Sequence, residues 1–217
     1  MSFGLSRGRR LDGAEWSIDQ SDLPSYDGTR LDPRAWFPHP ERPFELEIGS
    51  GKGTFLLQES ALRPEVNFLG IEWAGEFHRY AADRLRRRGV ANVRLLRADA
   101  TEFIRFRCPD AIASTLHLYF SDPWPKARHH KRRVVQDHTL REFHRLLVPR
   151  GELRLVTDHD ELWAWYEEHA ERHAALFERA PFERPASAGS EEVVGTNFER
   201  KYRREGRPFH AMTLVAR

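Results

Sequence analysis

The chain is poor in several things that would each announce a class of protein. It has a single cysteine, Cys108, so no internal disulfide framework can form. No apolar run approaches the ~18 residues of a membrane span, and mean hydropathy is −0.68. The opening MSFGLSRGRRLDG carries positive charge but lacks the apolar stretch of a secretory leader. Adjacent His129 and His130 are the one hint of a metal, but no Cys cluster or HxxxH pattern accompanies them, so no metal is expected. There is no internal repeat. Lysine is scarce too: Lys52, Lys126, Lys131 and Lys201 are the only four among 35 basic residues. A cytoplasmic, membrane-free enzyme or binding protein is the expectation, with one substantial domain in 217 residues.

What is present begins at Phe44. Residues 1–42, with Pro24, Pro33, Pro38 and Pro40 and no sustained period, read as a loop-rich extension whose start (Arg7, Arg9, Arg10) is a basic arm. The domain is expected over 43–217. FELEI (44–48) reads as a strand, GSGKG (49–53) as a turn and TFLLQESAL (54–62) as a helix. NFLGIEW (67–73) is a second strand. A helix over 75–88 follows, with Phe77, Tyr80, Ala81 and Leu85 at helical spacing and Gly89 as its stop. Further strands are expected at 93–100, 114–125, 152–158 and 209–216, and helices at roughly 133–147 and 160–175. Residues 181–195 read as a loop. Alternating strands and helices predict an open α/β sheet with helices on both faces, which binds ligands beyond the carboxyl ends of its strands.

The acids fall at those ends. The glycine turn is not the G-x-G-x-x-G that seats a pyrophosphate, nor a P-loop, which disfavours a nicotinamide dehydrogenase. Its upstream Glu47 would repel phosphate but suit a cationic, amine-bearing ligand. Glu72 ends the second strand, where a carboxylate can accept from ribose hydroxyls. Asp99 ends the third, where it can receive an adenine amino group. Amine, ribose and adenine without phosphate point to S-adenosylmethionine. Each acid alone serves equally well as a helix cap or surface carboxylate; the three together favour the ligand.

After the fourth strand, Ser121-Asp122-Pro123-Trp124-Pro125-Lys126 holds an acid and an aromatic at the ligand edge between two stiffening prolines. It resembles the acid/amide-Pro-Pro-aromatic loop of nucleic-acid base methyltransferases, although Trp124 could equally be core. Lys126–Arg133 then holds five basic residues, two histidines and no carboxylate, the composition of a phosphate-contacting surface. A second basic stretch, TNFERKYRREGR (196–207), opens with Thr196 and Glu199 in capping-box spacing. Arg84, Arg86, Arg87 and Arg88 close a helix and read first as partners of its C-terminal dipole.

EIGSGKG (47–53), GIEW (70–73), RADA (97–100), SDPWPKARHHKRR (121–133), VTD (156–158) and TNFERKYRREG (196–206) together resemble the bacterial tRNA (guanine-N7-)-methyltransferases. The resemblance runs from about Phe44 to the C-terminus. It implies a Rossmann-like class I methyltransferase fold, with a mostly parallel seven-stranded sheet and helices on both faces. It implies S-adenosylmethionine as cofactor, a guanine in the tRNA variable loop as target, and a monomer or weak homodimer. Carried over by position, it implies Glu47, Gly49, Gly51, Glu72, Asp99, Ala100 and Asp122 at the cofactor, with Asp122 also catalytic. It places Lys126, Asp158, Thr196, Asn197, Phe198 and Glu199 at the substrate, and Arg128, His129, His130, Lys131, Arg132 and Arg133 on the RNA. Two alternatives stay open: methylation of an exocyclic adenine amine, and an RNA-binding scaffold with a vestigial pocket.

Overall fold

A computed structural model describes residues 15–217, and the basic arm at Arg7, Arg9 and Arg10 lies outside them. Eight strands form one sheet: β1 (Ser17–Asp19), β2 (Phe44–Ile48), β3 (Asn67–Ile71), β4 (Val93–Arg97), β5 (Ala113–Tyr119), β6 (Leu147–Thr157), β7 (Phe177–Ala180) and β8 (His210–Ala216). Six helices accompany them: α1 (Thr54–Leu62), α2 (Gly75–Arg88), α3 (Ala100–Arg107), α4 (Asp137–Leu146), α5 (Asp160–Arg172) and α6 (Asn197–Arg204). The spatial order is β1-β4-β3-β2-β5-β6-β8-β7. Only β8 runs antiparallel, to both β6 and β7.

Strand alternation decides which helices cover which face. Leu46 and Ile48 of β2 share a core with Phe103 and Ile104 of α3, Leu140 and Phe143 of α4, and Leu162 and Tyr166 of α5. On the opposite face Phe68, Val93 and Leu95 pack against Phe55 and Leu56 of α1 and Ala81 and Leu85 of α2. Gly70 stands where β3 passes under α1: a Cβ there would lie 2.4 Å from Leu56 Cδ1.

The sheet has eight strands where the resemblance implied seven, and the addition comes from the extension. Ser17–Asp19 pairs parallel with Leu95–Arg97, and the Trp16 carbonyl accepts from the Leu95 amide at 2.7 Å. Phe37, also from the extension, is buried in the core. The helix expected from about 133 starts at Asp137 instead. Residues Ala127–Arg132 form a 3-10 turn, Val134 and Val135 are extended-type β-branched residues, and the Gln136 amide donates to Thr139 Oγ1 at 2.8 Å to open α4. The loop 181–195 is anchored: the Ser187 amide donates to Glu59 of α1 at 2.9 Å.

The alternation that buries Leu46 turns Glu45 to the α1 side, where it is 3% exposed. Both Arg63 Nη atoms donate to it, and His117 Nε2 lies 2.9 Å away. Burial raises its pKa, but the hydrogen bonds and charges of His117 and Arg63 outweigh that and hold it down at about 2, against an ordinary 4.5. A carboxylate with a depressed folded pKa stabilises the fold fully above the unfolded value and loses that contribution as pH falls towards the folded one. Its size is on the order of 3 kcal/mol. Denaturant titration of the wild type and Glu45→Gln should therefore show a stability gap at pH 6 that shrinks by about this amount by pH 2.5. A pH-independent gap would remove this role from Glu45.

Candidate active site

The glycine turn follows β2 because three consecutive alternate positions need left-handed backbone. Gly49, Gly51 and Gly53 have φ of +77°, +52° and +65°, a region that costs side chains strain. A Cβ at Gly53 would also press on Ala81 Cβ at 3.0 Å. The Gly49 and Ser50 amides both donate to the Ile71 carbonyl, at 2.8 and 3.1 Å, which ties the turn to the end of β3.

Glu72, just past β3, clamps this turn. Its Oε2 accepts from the Gly51 amide at 2.8 Å and its Oε1 from the Ala74 amide at 2.7 Å. Burial raises its pKa against these two bonds, and the charge of Asp122 raises it further. Glu47 lies deeper: burial, then the neighbouring Glu72, pushes its pKa well above the ordinary carboxylate value. Its Oε2 is buried without a hydrogen-bond partner. Such an orphaned polar atom normally costs stability. Asp99 caps α3, with Oδ1 accepting from the Thr101 amide and hydroxyl and the Glu102 amide. The cap and the ligand-facing role coexist, because Asp99 also lines the cavity.

The Asp122 loop leaves β5 through two strained residues, Phe120 (φ +55°) and Trp124 (φ +43°). Non-glycine residues hold such backbone only where surroundings enforce it, commonly at functional loops. Here Phe120 N–H donates to the Val156 carbonyl at 2.8 Å, the Ser121 and Tyr166 hydroxyls are 2.8 Å apart, and Arg133 Nε donates to the Pro123 carbonyl at 2.9 Å. The Asp122 side chain is exposed. The Arg132 guanidinium lies 4.9 Å from the Trp124 ring centroid, a cation–π distance.

The glycine turn, Glu72, Asp99 and the Asp122 loop converge on one cavity of about 620 Å³ at the carboxyl ends of β2 to β5, a size that holds a nucleoside-sized ligand. Its wall includes Gly49, Gly51, Glu72, Asp99, Ala100, Asp122, Lys131, Arg132, Arg133 and Phe198 of the residues singled out from sequence. Glu47 sits outside that wall. So do Lys126, Arg128, His129 and His130, on or beside the 3-10 turn, and Asp158, Thr196, Asn197 and Glu199. Trp124 lines the cavity and is not core; Phe77, expected only as a helix-face residue, and the 70% exposed Trp73, quoted in GIEW without a role, line it too. The available signal for Trp73 was a tryptophan directly after a strand-end acid, with no apolar period to absorb it.

Several expected contacts are engaged elsewhere. Arg133, expected on the RNA, has a side chain 1% exposed and ion-paired with Glu161. Burial takes it out of reach of a phosphate. Glu199 is wholly buried and accepts from the Val193, Val194 and Gly195 amides, while the Glu199 amide donates to Thr196 Oγ1 at 3.1 Å. Asn197 Nδ2 donates to Thr54 Oγ1 at 2.8 Å. Asp158 pairs with Arg207 at 2.7 Å. These groups set the frame of α6, from which Phe198 alone of the four expected 196–199 residues reaches the cavity wall. Phe198 stacks on Tyr202, which packs on Phe120, which packs on Phe209. Among the described residues no group of three or more His, Cys, Asp and Glu side chains is disposed to hold a metal ion. No helix among them is long and apolar enough to cross a membrane.

Comparison with known proteins agrees with this geometry. A family model described as "Putative methyltransferase" matches residues 41–212. A tRNA (guanine-N(7)-)-methyltransferase from Geobacillus kaustophilus is 32% identical over 95% of this chain and 96% of its own length. One from Agrobacterium fabrum is 31% identical over 99% of this chain and 94% of its own. Among solved structures, the 16S rRNA methyltransferase KamB superposes with a TM-score of 0.56 at 15% identity, covering 80% of this chain and 86% of that one. At that identity the likeness speaks for the fold.

Proposed function

The chain belongs to the family of tRNA (guanine-N(7)-)-methyltransferases, and on that premise we propose how its residues move a methyl group onto N7 of a guanine in the tRNA variable loop. S-adenosylmethionine, when bound, supplies a methyl on a positively charged sulfur. The residues present fit it. The left-handed glycines let the backbone approach closely, Glu72 retains lone pairs for ribose hydroxyls, and Asp99 has Oδ2 for an adenine amine.

The observation that carries the reading is a carboxylate, Asp122, on the wall of that same cavity at the end of a stiff loop. Guanine N7 has an in-plane lone pair, so no base is needed to make it a nucleophile. Methylation leaves a positive charge on the purine and no proton departs at N7. As that charge develops, the N1–H and N2–H donors on the opposite edge become more acidic. An Asp122 carboxylate accepting from that edge binds the transition state more tightly than the ground state, which is the condition for raising kcat. It also turns N7 towards the methyl. Trp124 and Phe198 offer ring faces to the purine. Asp158, Thr196, Asn197 and Glu199 act around it as the frame described above, and the exposed Lys126 precedes the 3-10 turn beside it.

Basic groups at the rim hold the nucleic acid. Arg128, His129, His130, Lys131 and Arg132 face the phosphates, and of these Lys131 and Arg132 are both exposed and on the cavity wall. Arg132→Ala should weaken tRNA binding and lower the slope of log affinity against log salt by about one. An unchanged slope would exclude a phosphate contact at Arg132. The catalytic unit is 43–217 with 1–42 as its extension, working in the cytoplasm as a monomer or weak homodimer. Incubation of unmodified tRNA with enzyme and cofactor, then digestion and mass measurement of nucleosides, should yield 7-methylguanosine. A methylated adenosine would identify an exocyclic-amine enzyme instead.

A further inference from the structure

Asp122 has no hydrogen-bond partner of its own among the described residues, so its aim is set by the backbone on either side. That backbone is strained at Phe120 and Trp124, and strained backbone persists only where its surroundings over-determine it. Both flanks of Asp122 are tied to α5. On one side the Ser121 hydroxyl meets the Tyr166 hydroxyl at 2.8 Å. On the other, Arg133 Nε donates to the Pro123 carbonyl at 2.9 Å while its Nη2 donates to Glu161 Oε1. Proline has no amide hydrogen, so that carbonyl is the only backbone polar group Pro123 offers. The guanidinium also lies 4.8 Å from the Trp165 ring centroid. Gln136 Nε2 donates to the carbonyls of His130 and Arg133, at 2.8 and 3.1 Å, and so fixes the backbone from which Arg133 extends. His130 Nε2 lies 3.1 Å from the same Glu161 oxygen.

We propose that Arg133 and Glu161 are positioning residues: they form a brace that sets the height and tilt of the Asp122–Trp124 segment over the cavity. The inference rests on the methyltransferase reading of that cavity. It assigns Arg133, within a run of otherwise exposed or half-exposed bases, a task unlike that of its neighbours. A planar fork is required for it, because one guanidinium must donate to a carbonyl and a carboxylate lying in different directions while stacking on an indole. A lysine keeps the charge but cannot reproduce that fork.

Arg133→Lys, Glu161→Gln and the double variant are compared with the wild type by steady-state methylation, by cofactor and tRNA binding, and by 15N indole spectra. The Trp124 signal is assigned with Trp124→Phe. Arg133→Lys should lower kcat on the order of 10-fold to 10²-fold, since small misplacements of reacting groups cost about that much. Both dissociation constants should stay within about twofold, and the double variant should be no slower than Arg133→Lys, because both changes remove one shared interaction. The Trp124 indole should shift or broaden in both single variants while the Trp73 indole does not. If Arg133→Lys fails to fold, Glu161→Gln carries the same comparison with a smaller loss. Weaker tRNA binding with a reduced salt slope at unchanged kcat would make Arg133 an RNA contact and overturn the brace. So would wild-type kinetics with an unmoved Trp124 signal. A wild-type protein that transfers no methyl to tRNA would sink the functional reading alone, since the Trp124 spectra still decide whether the brace exists.

Discussion

Asp122→Ala should lower kcat for tRNA methylation on the order of 10²-fold to 10³-fold, the range lost when an orienting or charge-stabilising group is removed from an active site. tRNA affinity should change only a few-fold, because phosphate contacts dominate the binding of nucleic acids. The reasoning is differential. The purine edge facing Asp122 gains acidity only as N7 acquires its methyl, so the carboxylate is worth most in the transition state. Asp122→Asn keeps one acceptor without the charge and should fall between alanine and wild type. Single-turnover rates and filter-binding constants separate the two effects. Equal rates in the alanine variant would remove Asp122 from the chemistry, and a loss confined to binding would make it a docking residue.

Glu72→Ala should cost cofactor affinity on the order of 10²-fold or more. The carboxylate accepts from the Gly51 and Ala74 amides, and hydrogen bonds to a charged group are worth roughly 1.5–3 kcal/mol each. Without it the glycine turn loses its clamp and any ribose its acceptor. The same acid makes affinity depend on pH in a definite direction. Burial holds the Glu72 pKa above its ordinary 4.5, so the free cavity is the more readily protonated state. A cationic ligand favours the ionised form, so binding releases a proton and affinity rises with pH through that raised range. Calorimetry in buffers of different ionisation enthalpy should show this release in the wild type and its reduction in Glu72→Gln. Affinity in Glu72→Ala within about twofold of wild type would contradict the clamp.

The elements that sequence reading placed residue for residue are those with local punctuation. The β2 strand and α1 bracket the glycine turn, and α2 ends at Gly89, whose amide donates to Arg86 and Leu85 carbonyls from a left-handed φ of +60°. The elements it passed over lack such marks. The β1 strand is three half-buried residues whose partner is 78 positions away. The β7 strand, FERA, buries one residue, and α3 starts on the acid already spoken for as a strand end, since capping and ligand-facing roles read identically in sequence. On the side expected to hold the cofactor, Glu72, Asp99 and Asp122 were legible as cavity-lining acids because each follows closely on a strand, whereas Glu47, within β2, lies off the cavity wall. The substrate half was less so. Nothing in KARHHKRR distinguishes Arg133, buried on Pro123 and Glu161, from Arg132, one residue earlier and exposed. Likewise Glu199 reads as a substrate contact until three backbone amides are seen to converge on it. Both are decided by tertiary packing around residues distant or nearby in sequence, which charge patterning does not encode.

The central claim is a position on a base, and it can be read directly. Unmodified tRNA is incubated with the protein and labelled S-adenosylmethionine, then reduced and treated with aniline, which cleaves the strand wherever N7 of guanine has been methylated. One cleavage at a guanine in the variable loop is expected, dependent on protein and cofactor and strongly reduced with Asp122→Ala. Label incorporated without any aniline-sensitive guanine, or no incorporation by a protein that binds both cofactor and tRNA, would contradict it.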